Sequence, residues 1–271
     1  MERKLISEIK SGENVLLKGW IYEIRDLAKL KFFLLRDSSG IIQCVVKDKK
    51  LMDRFSELTL ESVVEIKGQV KKAEVKAEFA RKDAEVEVSD FEVISKAENL
   101  PIHVNEKATT TEFSTRLDYR FLDIRKPKVH AIFKVEATIM QAFREFMISE
   151  GVMEAVFPSI ISASSEGGTE LYKLKYFEKD AYLSQSCQLY KQMLACSIEK
   201  VFTLFTVWRA EKHNTLRHLN ESRQLDFEMA FADEFTVMDV LARCIQHIAK
   251  KVIEKNKEEL KILNAESLHY R

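Results

Sequence analysis

The chain has 271 residues, of which 46% are hydrophobic and 32% are charged, and 43 basic side chains balance 43 acidic ones. This length is enough for two ordinary domains, each with its own core. The even charge balance excludes a protein held to nucleic acid by bulk positive charge, so any nucleic-acid binding must use a local surface.

The first predicted domain, residues 1–99, consists of short β-strands. Apolar alternation predicts five strands around one helical insertion, at 15–25, 31–36, 41–47, 62–72 and 84–94, with the insertion near 51–58. This order is typical of a small closed barrel of the OB type, although a generic five-stranded domain fits the same pattern. Strand alternation points Phe33 into the core and Phe32 to the opposite face, and a register shift of one residue would exchange them.

Residues 100–127 are predicted to form a hinge or linker, because few apolar positions recur there. After Pro127, helical spacing continues to Gly151, which stands where a left-handed C-terminal cap is expected. Three further elements follow, namely an extended piece, a strand hairpin and a helical run, at 152–160, 201–209 with 224–232, and 235–263. Helices segregated around antiparallel strands predict an α+β second domain, 128–271.

The glycines, cysteines and apolar runs exclude several kinds of protein. No G-x-G-x-x-G and no G-x-x-x-x-G-K-[ST] segment occurs, so Rossmann and P-loop nucleotide binding are excluded. The four cysteines form neither a C-x-x-C pair nor a disulfide framework, so reduced thiols are expected and a structural zinc site is not. No apolar run approaches the roughly 20 residues that cross a bilayer, and no signal peptide is evident. We therefore expect a soluble, cytoplasmic protein without a membrane partner.

A polar loop between the two hairpin strands carries the strongest chemical signal. Arg209 ends the first strand, and Arg217 and His218 stand at the far side of the loop. Guanidinium groups make bidentate, charge-assisted bonds to phosphate, so these side chains are candidates for a polyphosphate clamp. On residue types alone, a solvated charged loop is the more common explanation.

The residue order around this loop resembles the second signature motif of class II aminoacyl-tRNA synthetases, which consists of an arginine-bearing strand, a loop and a returning strand. Other segments resemble the aspartyl branch in its archaeal and eukaryotic form. These segments are 36–43, 115–123, 165–171, 182–192 and 217–221. The resemblance covers essentially the whole chain in the family's order, and it implies an OB-fold barrel followed by an incomplete α+β class II catalytic domain.

The resemblance implies an aspartate–tRNA ligase, which uses ATP to activate aspartate and then transfers it to tRNA. Lys191 would meet the side-chain carboxylate of aspartate, Gln188 would hydrogen-bond the substrate, and Glu166 would hold its ammonium group. Gln188 and Lys191 are three residues apart, which places them on one face of a helix. A lysine on a mixed helix is, by itself, more often solvated than a ligand. Aspartate is favoured over asparagine by the resemblance alone.

For ATP, the resemblance gives the catalytic role to Arg209, which would grip the α-phosphate where negative charge develops. Glu211 would hold the adenine side of the site, and Arg217 and His218 would reach the β- and γ-phosphates. Catalysis would then rest on positioning and electrostatic stabilisation, without a covalent protein nucleophile. Mg²⁺ is expected for the family, but its acidic ligands belong to a part that this sequence does not match. No metal site is therefore expected in this chain.

The resemblance also implies that the barrel binds a tRNA anticodon. Phe32 would stack on a base, Gln43 would read a base edge, and Arg25 would lie nearby, as OB-folds commonly bind single strands with aromatic and polar side chains. An ordinary core position for Phe32 is the alternative. Pro158 falls where the first class II motif places a proline at a dimer interface, which implies a homodimer, although residues 154–157 depart from the usual form.

The third class II signature, a glycine-rich segment with an adenine-stacking arginine, is absent, since no glycine follows Gly168. About the first two thirds of a typical family chain is matched, so we expect amino-acid activation by this chain alone to be impaired or lost. The alternatives are a non-catalytic tRNA-binding or regulatory paralogue, one fragment of a split synthetase, and a fragment with no separate function. Whether the tRNA is the aspartate isoacceptor alone or also the asparagine isoacceptor stays open.

Overall fold

The computed structural model describes residues 1–27, 30–105, 111–165, 170–212 and 219–265. The chain divides into two units, Met1–His130 and Ala131–Arg271. Among the helices in the described ranges, none combines the length and the apolar character that crossing a membrane requires.

Five strands and one helix make up most of the first unit. They are β1 (Asn14–Leu27), β2 (Leu30–Arg36), β3 (Ile41–Val46), α1 (Lys49–Arg54), β4 (Val63–Lys72) and β5 (Ala80–Ser95). The strands close into a barrel in the order β1–β2–β3–β5–β4. β3 and β5 run parallel, and the other neighbouring pairs are antiparallel. The predicted OB-type barrel is confirmed.

Strand alternation fills the interior of the barrel. Phe33 is fully buried, and its ring centroid lies 6.4 Å from that of Phe55 in the short 3-10 turn after α1. Gly19 permits close packing of β1 on β2, because a Cβ atom there would clash with the carbonyl group of Arg36. The predicted inward position of Phe33 is therefore confirmed.

The described part of residues 100–127 contains two short helices, α2 (Phe113–Asp118) and α3 (Arg120–Asp123). Leu122 is buried in an apolar cluster that includes Leu34 of the barrel and Ile102. Few apolar positions recur in this stretch, yet those that are present pack against the barrel. This explains why these residues group with the first unit.

A largely buried ion cluster also joins this stretch to the barrel. The Glu61 side chain is 2% exposed, and it accepts hydrogen bonds from both terminal nitrogens of Arg36, at 2.9 and 2.8 Å, and from Nη1 of Arg125 at 2.7 Å. Both guanidinium groups lie over the ring of Trp20, 5.6 and 5.5 Å from its centroid. Glu61 thus supplies the counter-charge for two arginines.

The rest of the chain forms helices and two small sheets. The elements are α4 (Pro127–Ser149), β6 (Met153–Glu154), β7 (Ile160–Ile161), β8 (Lys173–Tyr176), β9 (Lys179–Leu183), α5 (Gln188–Ile198), β10 (Lys200–Trp208), β11 (Glu221–Met229), α6 (Glu234–Lys255) and α7 (Lys257–Ile262). The sheet orders are β11–β10–β6 and β7–β9–β8. β10 and β11 pair antiparallel along their whole length, and Gly151 has a φ of 70° after α4. The predicted hairpin and helix cap are confirmed.

Two features of this unit differ from the sequence prediction. The sequence analysis predicts no strand over 173–183, where the structure has the β8–β9 hairpin; its two strands are only four and five residues long and carry four charged side chains. The predicted continuous helical run over 235–263 is wrong at one residue, Asn256, where the backbone has φ −113° and ψ 35° and the helix divides into α6 and α7. Asparagine readily adopts such non-helical conformations, which apolar periodicity does not register.

The core of the second unit lies between the first sheet and two helices. α4 contributes Phe143 and Met147, α6 contributes Val240 and Cys244, and all four pack with Phe202 of β10. The rings of Phe143 and Phe202 meet edge to face, 5.5 Å apart. This packing holds β10 and β11 in place, and with them the side chains that face α5.

Candidate functional site

Lys191 lies at the centre of a buried charge cluster. Its side chain is 6% exposed, and its ammonium nitrogen is 3.8 Å from Oδ1 of Asp226 and 3.6 Å from Oε2 of Glu228. α5 carries the lysine, and β11 carries both carboxylates two residues apart, so they share one face of the strand. The alternative of a solvated lysine is therefore wrong.

Gln188 joins the same cluster from one turn earlier on α5. Its Nε2 donates to Oε2 of Glu228 at 2.9 Å. The preceding residue, Cys187, is fully buried and donates from Sγ to Oδ2 of Asp226 at 3.4 Å. The two predicted substrate residues, Gln188 and Lys191, thus meet at one carboxylate, as their helical spacing indicated.

Asp226 and Glu228 were not predicted as site residues from the sequence. A signal was present, because these acidic residues alternate with the apolar Leu225 and Phe227 along β11. The apolar pair packs into the core of the unit, so strand alternation places the two carboxylates on the opposite face. Only the structure shows that this face meets α5.

Arg209 and Glu211 follow directly after β10. The backbone nitrogen of Trp208 donates to the carbonyl of Ser184 at 3.0 Å, and that of Arg209 donates to the carbonyl of Asn220 at 2.9 Å. The first bond ties the end of β10 to the segment that leads into α5. Asp226 and Glu228 of the Lys191 cluster pair with Thr203 and Val201, toward the other end of β10. Both Arg209 and Glu211 are partly exposed.

Four other predicted site residues belong to this unit, and the structure describes one of them. Glu166, Arg217 and His218 lie outside the described residues. Pro158 is exposed between β6 and β7, near Val156, whose side chain is 93% exposed. The dimer role of Pro158 stays a prediction.

The barrel brings the three predicted nucleic-acid residues to one outer face. Arg25 and Phe32 are neighbours across β1 and β2, and the guanidinium carbon lies 5.5 Å from the centroid of the phenylalanine ring. Phe32 is partly exposed, whereas Phe33 occupies the core. Gln43 lies on β3, and its Nε2 donates to Oε2 of Glu85 at 2.8 Å. An aromatic ring, a cation and an amide are therefore available on one surface.

The described residues do not fit a magnesium site. Within these ranges no group of three or more His, Cys, Asp or Glu side chains could hold a metal ion. Asp226 and Glu228, two acidic side chains on one face of β11, already face the ammonium group of Lys191.

The four cysteines differ sharply in exposure, which predicts their reactivity. Burial raises the pKa of Cys44 well above its usual range, that of Cys187 to about 12 and that of Cys244 to about 11, whereas Cys196 is exposed. Because the thiolate is the nucleophile, native protein treated with iodoacetamide at pH 8 should carry one modification, on Cys196, as read by mass spectrometry. Urea-unfolded protein, the control, should carry four. Equally fast labelling of Cys187 would contradict its burial.

Two family models match the chain. Residues 112–270 match a model described as tRNA synthetases class II (D, K and N), and residues 15–94 match a model described as an OB-fold nucleic acid binding domain. The second match coincides with the closed barrel, and the first covers α5, β10 and β11 with the Lys191 cluster.

Curated relatives and solved structures agree with these models. An aspartate–tRNA(Asp/Asn) ligase of Archaeoglobus fulgidus is 44% identical over 250 residues, which are 90% of this chain and 57% of the relative. An aspartate–tRNA(Asp) ligase of Pyrococcus horikoshii is 44% identical over 268 residues, which are 96% of this chain and 60% of the relative. The crystal structure of asparaginyl-tRNA synthetase from P. horikoshii with asparaginyl-adenylate superposes with a TM-score of 0.87 at 37% identity, over 97% of this chain and 61% of that one. The chain thus spans about three fifths of these relatives.

Proposed function

Since the chain belongs to the class II tRNA synthetases, we propose that it acts as an aspartate–tRNA ligase-like protein, which activates aspartate with ATP and transfers it to tRNA. The observation that carries this proposal is the buried Lys191 ammonium, held by Asp226 and Glu228 beside Gln188. A buried lysine with two carboxylates is a preformed set of charges for a small zwitterion.

In this proposal, the side-chain carboxylate of aspartate meets Lys191 and Gln188 hydrogen-bonds the substrate. Asp226 and Glu228 hold the ammonium group of Lys191 in place, at 3.8 and 3.6 Å, where it can meet the substrate carboxylate. The substrate's own ammonium group is assigned to Glu166. A neutral asparagine side chain gains less from Lys191, so the proposal favours aspartate.

For the ATP half of the reaction, we assign the α-phosphate to Arg209, because a planar guanidinium bonds two phosphate oxygens at once. Glu211 is assigned to the adenine side, and Arg217 and His218 to the outer phosphates. The substrate carboxylate attacks the α-phosphorus and pyrophosphate leaves, so positive charge at Arg209 stabilises the transition state. Mg²⁺ accompanies ATP in the family, and no step assigned to this chain's residues depends on a metal that it binds.

The proposal assigns residues 1–99 to anticodon binding, 100–127 to the connection, and 128–271 to a partial catalytic domain. Arg25, Phe32 and Gln43 would contact the anticodon of the aspartate isoacceptor, and the relatives leave open whether an asparagine isoacceptor is also served. We propose a homodimer with Pro158 at the interface, acting in the cytoplasm.

A second candidate function is tRNA binding without amino-acid activation, in a regulatory paralogue or as one fragment of a split synthetase. The chain covers 57% and 60% of the two curated relatives, whereas its barrel is closed and carries all three predicted anticodon residues. The two candidates differ in one readout. Both require anticodon binding, and only the first requires aspartate-dependent ATP–pyrophosphate exchange.

Anticodon binding is tested by Phe32→Ala. Base–aromatic stacking contributes about 1–3 kcal/mol, so we expect the affinity for an anticodon stem–loop with the sequence GUC to fall about 5- to 150-fold. The measurement is fluorescence anisotropy with labelled stem–loop RNA. Phe177→Ala is the matched control, because it removes an 81% exposed phenylalanine from the second unit. An unchanged affinity in Phe32→Ala, or an equal loss in the control, would count against the proposed contact.

A further inference from the structure

Cys187 lies beside the Lys191 cluster but has no role in the function proposed above. It is the N-cap residue of α5, yet its side chain makes no capping hydrogen bond. Instead, Oγ of Ser186 accepts a hydrogen bond from the backbone nitrogen of Gln188 at 3.0 Å. The fully buried thiol of Cys187 is directed at β11, where it donates to Oδ2 of Asp226 at 3.4 Å.

The ammonium nitrogen of Lys191 lies farther from its two carboxylates than a direct hydrogen bond requires. Its distances of 3.8 Å to Asp226 and 3.6 Å to Glu228 exceed the roughly 2.7–2.9 Å of a charge-assisted N–H···O bond. Each carboxylate has another donor on α5. Gln188 donates to Oε2 of Glu228, and Cys187 donates to Oδ2 of Asp226. Lys191 is therefore held by charge without being captured by either carboxylate.

We propose that Cys187 is a positioning residue: its thiol restrains the carboxylate of Asp226, which keeps the ammonium group of Lys191 available to the carboxylate of aspartate. Without the thiol, Oδ2 of Asp226 loses its donor, and the carboxylate can turn onto Lys191 and compete with the substrate. This inference rests on the proposed aspartate activation and deepens it by a residue that acts through Asp226.

The thiol can act as a donor because it stays protonated at neutral pH. Burial, together with the neighbouring charge of Asp226, raises the pKa of Cys187 to about 12. A thiol is a weak donor, but a hydrogen bond to an ionised acceptor in a buried place is stronger than one between neutral groups. The side chain also packs in an apolar cluster with Val201 and Val207 of β10, which limits its movement.

The test compares the complete 271-residue chain with Cys187→Ala, Cys187→Ser and Cys244→Ala. Alanine removes the donor, whereas serine keeps a donor at nearly the same place. Cys244→Ala is the matched control, because it removes a buried thiol of the same unit from the apolar cluster between α4, α6 and β10. Aspartate binding is measured by calorimetric titration. Thermal melting of each protein checks that the fold is retained.

The infrared S–H stretch tests the hydrogen bond itself. The band that disappears in Cys187→Ala belongs to Cys187, and donation to a carboxylate lowers its frequency. Asp226→Asn should raise the frequency of this band, because a neutral amide is a weaker acceptor than a carboxylate. A Cys187 band that does not respond to Asp226→Asn would overturn the inference.

We expect Cys187→Ala to weaken aspartate binding about tenfold, the scale of one net hydrogen bond to a charged group. Cys187→Ser should stay within about threefold of the unsubstituted chain, and Cys244→Ala should bind aspartate equally well even where its melting temperature falls. An unchanged affinity in Cys187→Ala, or an equal loss in Cys187→Ser or Cys244→Ala, would overturn the inference while leaving aspartate binding intact. A folded, unsubstituted chain that binds no aspartate would overturn the proposed function, and the inference with it.

Discussion

Replacing Arg209 with alanine is expected to lower aspartate-dependent ATP–pyrophosphate exchange by about 10²–10³-fold, the usual cost of removing one preorganised transition-state donor. The reason is that negative charge develops on the α-phosphate as the aspartate carboxylate attacks. The measurement uses the purified 271-residue chain, with aspartate and asparagine assayed in parallel. Exchange should respond to aspartate and not to asparagine, because Lys191 attracts a carboxylate.

The matched control is Arg144→Ala, which removes an exposed arginine that pairs with Glu154 at 3.0 Å. It should leave exchange unchanged. Equal rates in Arg209→Ala and the unsubstituted chain would contradict the role given to Arg209. A folded chain that shows no exchange but still binds the GUC stem–loop would favour the second candidate, tRNA binding without activation.

Glu61→Ala should lower the free energy of unfolding of the first unit by about 3–5 kcal/mol, because it leaves two arginines without their counter-charge in a largely buried place. Both guanidinium groups lie over Trp20, so its fluorescence reports directly on this region. Urea unfolding in a Trp208→Phe background measures the change, since Trp20 is then the one remaining tryptophan.

Glu65→Ala is the control for this experiment. Glu65 pairs with Lys18 at 2.7 Å, but the lysine side chain is 42% exposed. Exposed pairs contribute about 0–1 kcal/mol, so the control should change stability little. If Glu61→Ala costs no more than Glu65→Ala, the cluster with Arg36 does not fasten residues 113–125 to the barrel.

Several structural features follow from local pattern. Alternation along β1 to β5 predicted the barrel and separated Phe32 from Phe33, because successive strand residues face opposite sides. Helical spacing placed Gln188 and Lys191 on one face of α5, and Gly151 marked the end of α4 through its positive φ. These are properties of neighbours in sequence, which a pattern of apolar and polar residues records.

Other features depend on residues that are distant in sequence. Asp226 and Glu228 are 35 and 37 positions from Lys191, and no periodic pattern shows that β11 lies against α5. Glu61 and Arg125 are also distant in sequence, and no periodic pattern shows that they meet. Gln43 and Glu85 meet only when the barrel closes. The break at Asn256 is also missed by periodicity, since it reflects a backbone preference and not an apolar position.

The sequence by itself determined the two domains, the barrel, the family and the residue types of the site. The tertiary structure decided the burial, the partners and the orientation of those side chains. Burial against β11 turns Lys191 from an ordinary helical lysine into a held cation, and strand pairing turns Gln43 from a freely rotating amide into an oriented one. Both effects arise because burial and hydrogen bonding depend on which surfaces meet, and that information lies in packing between distant segments.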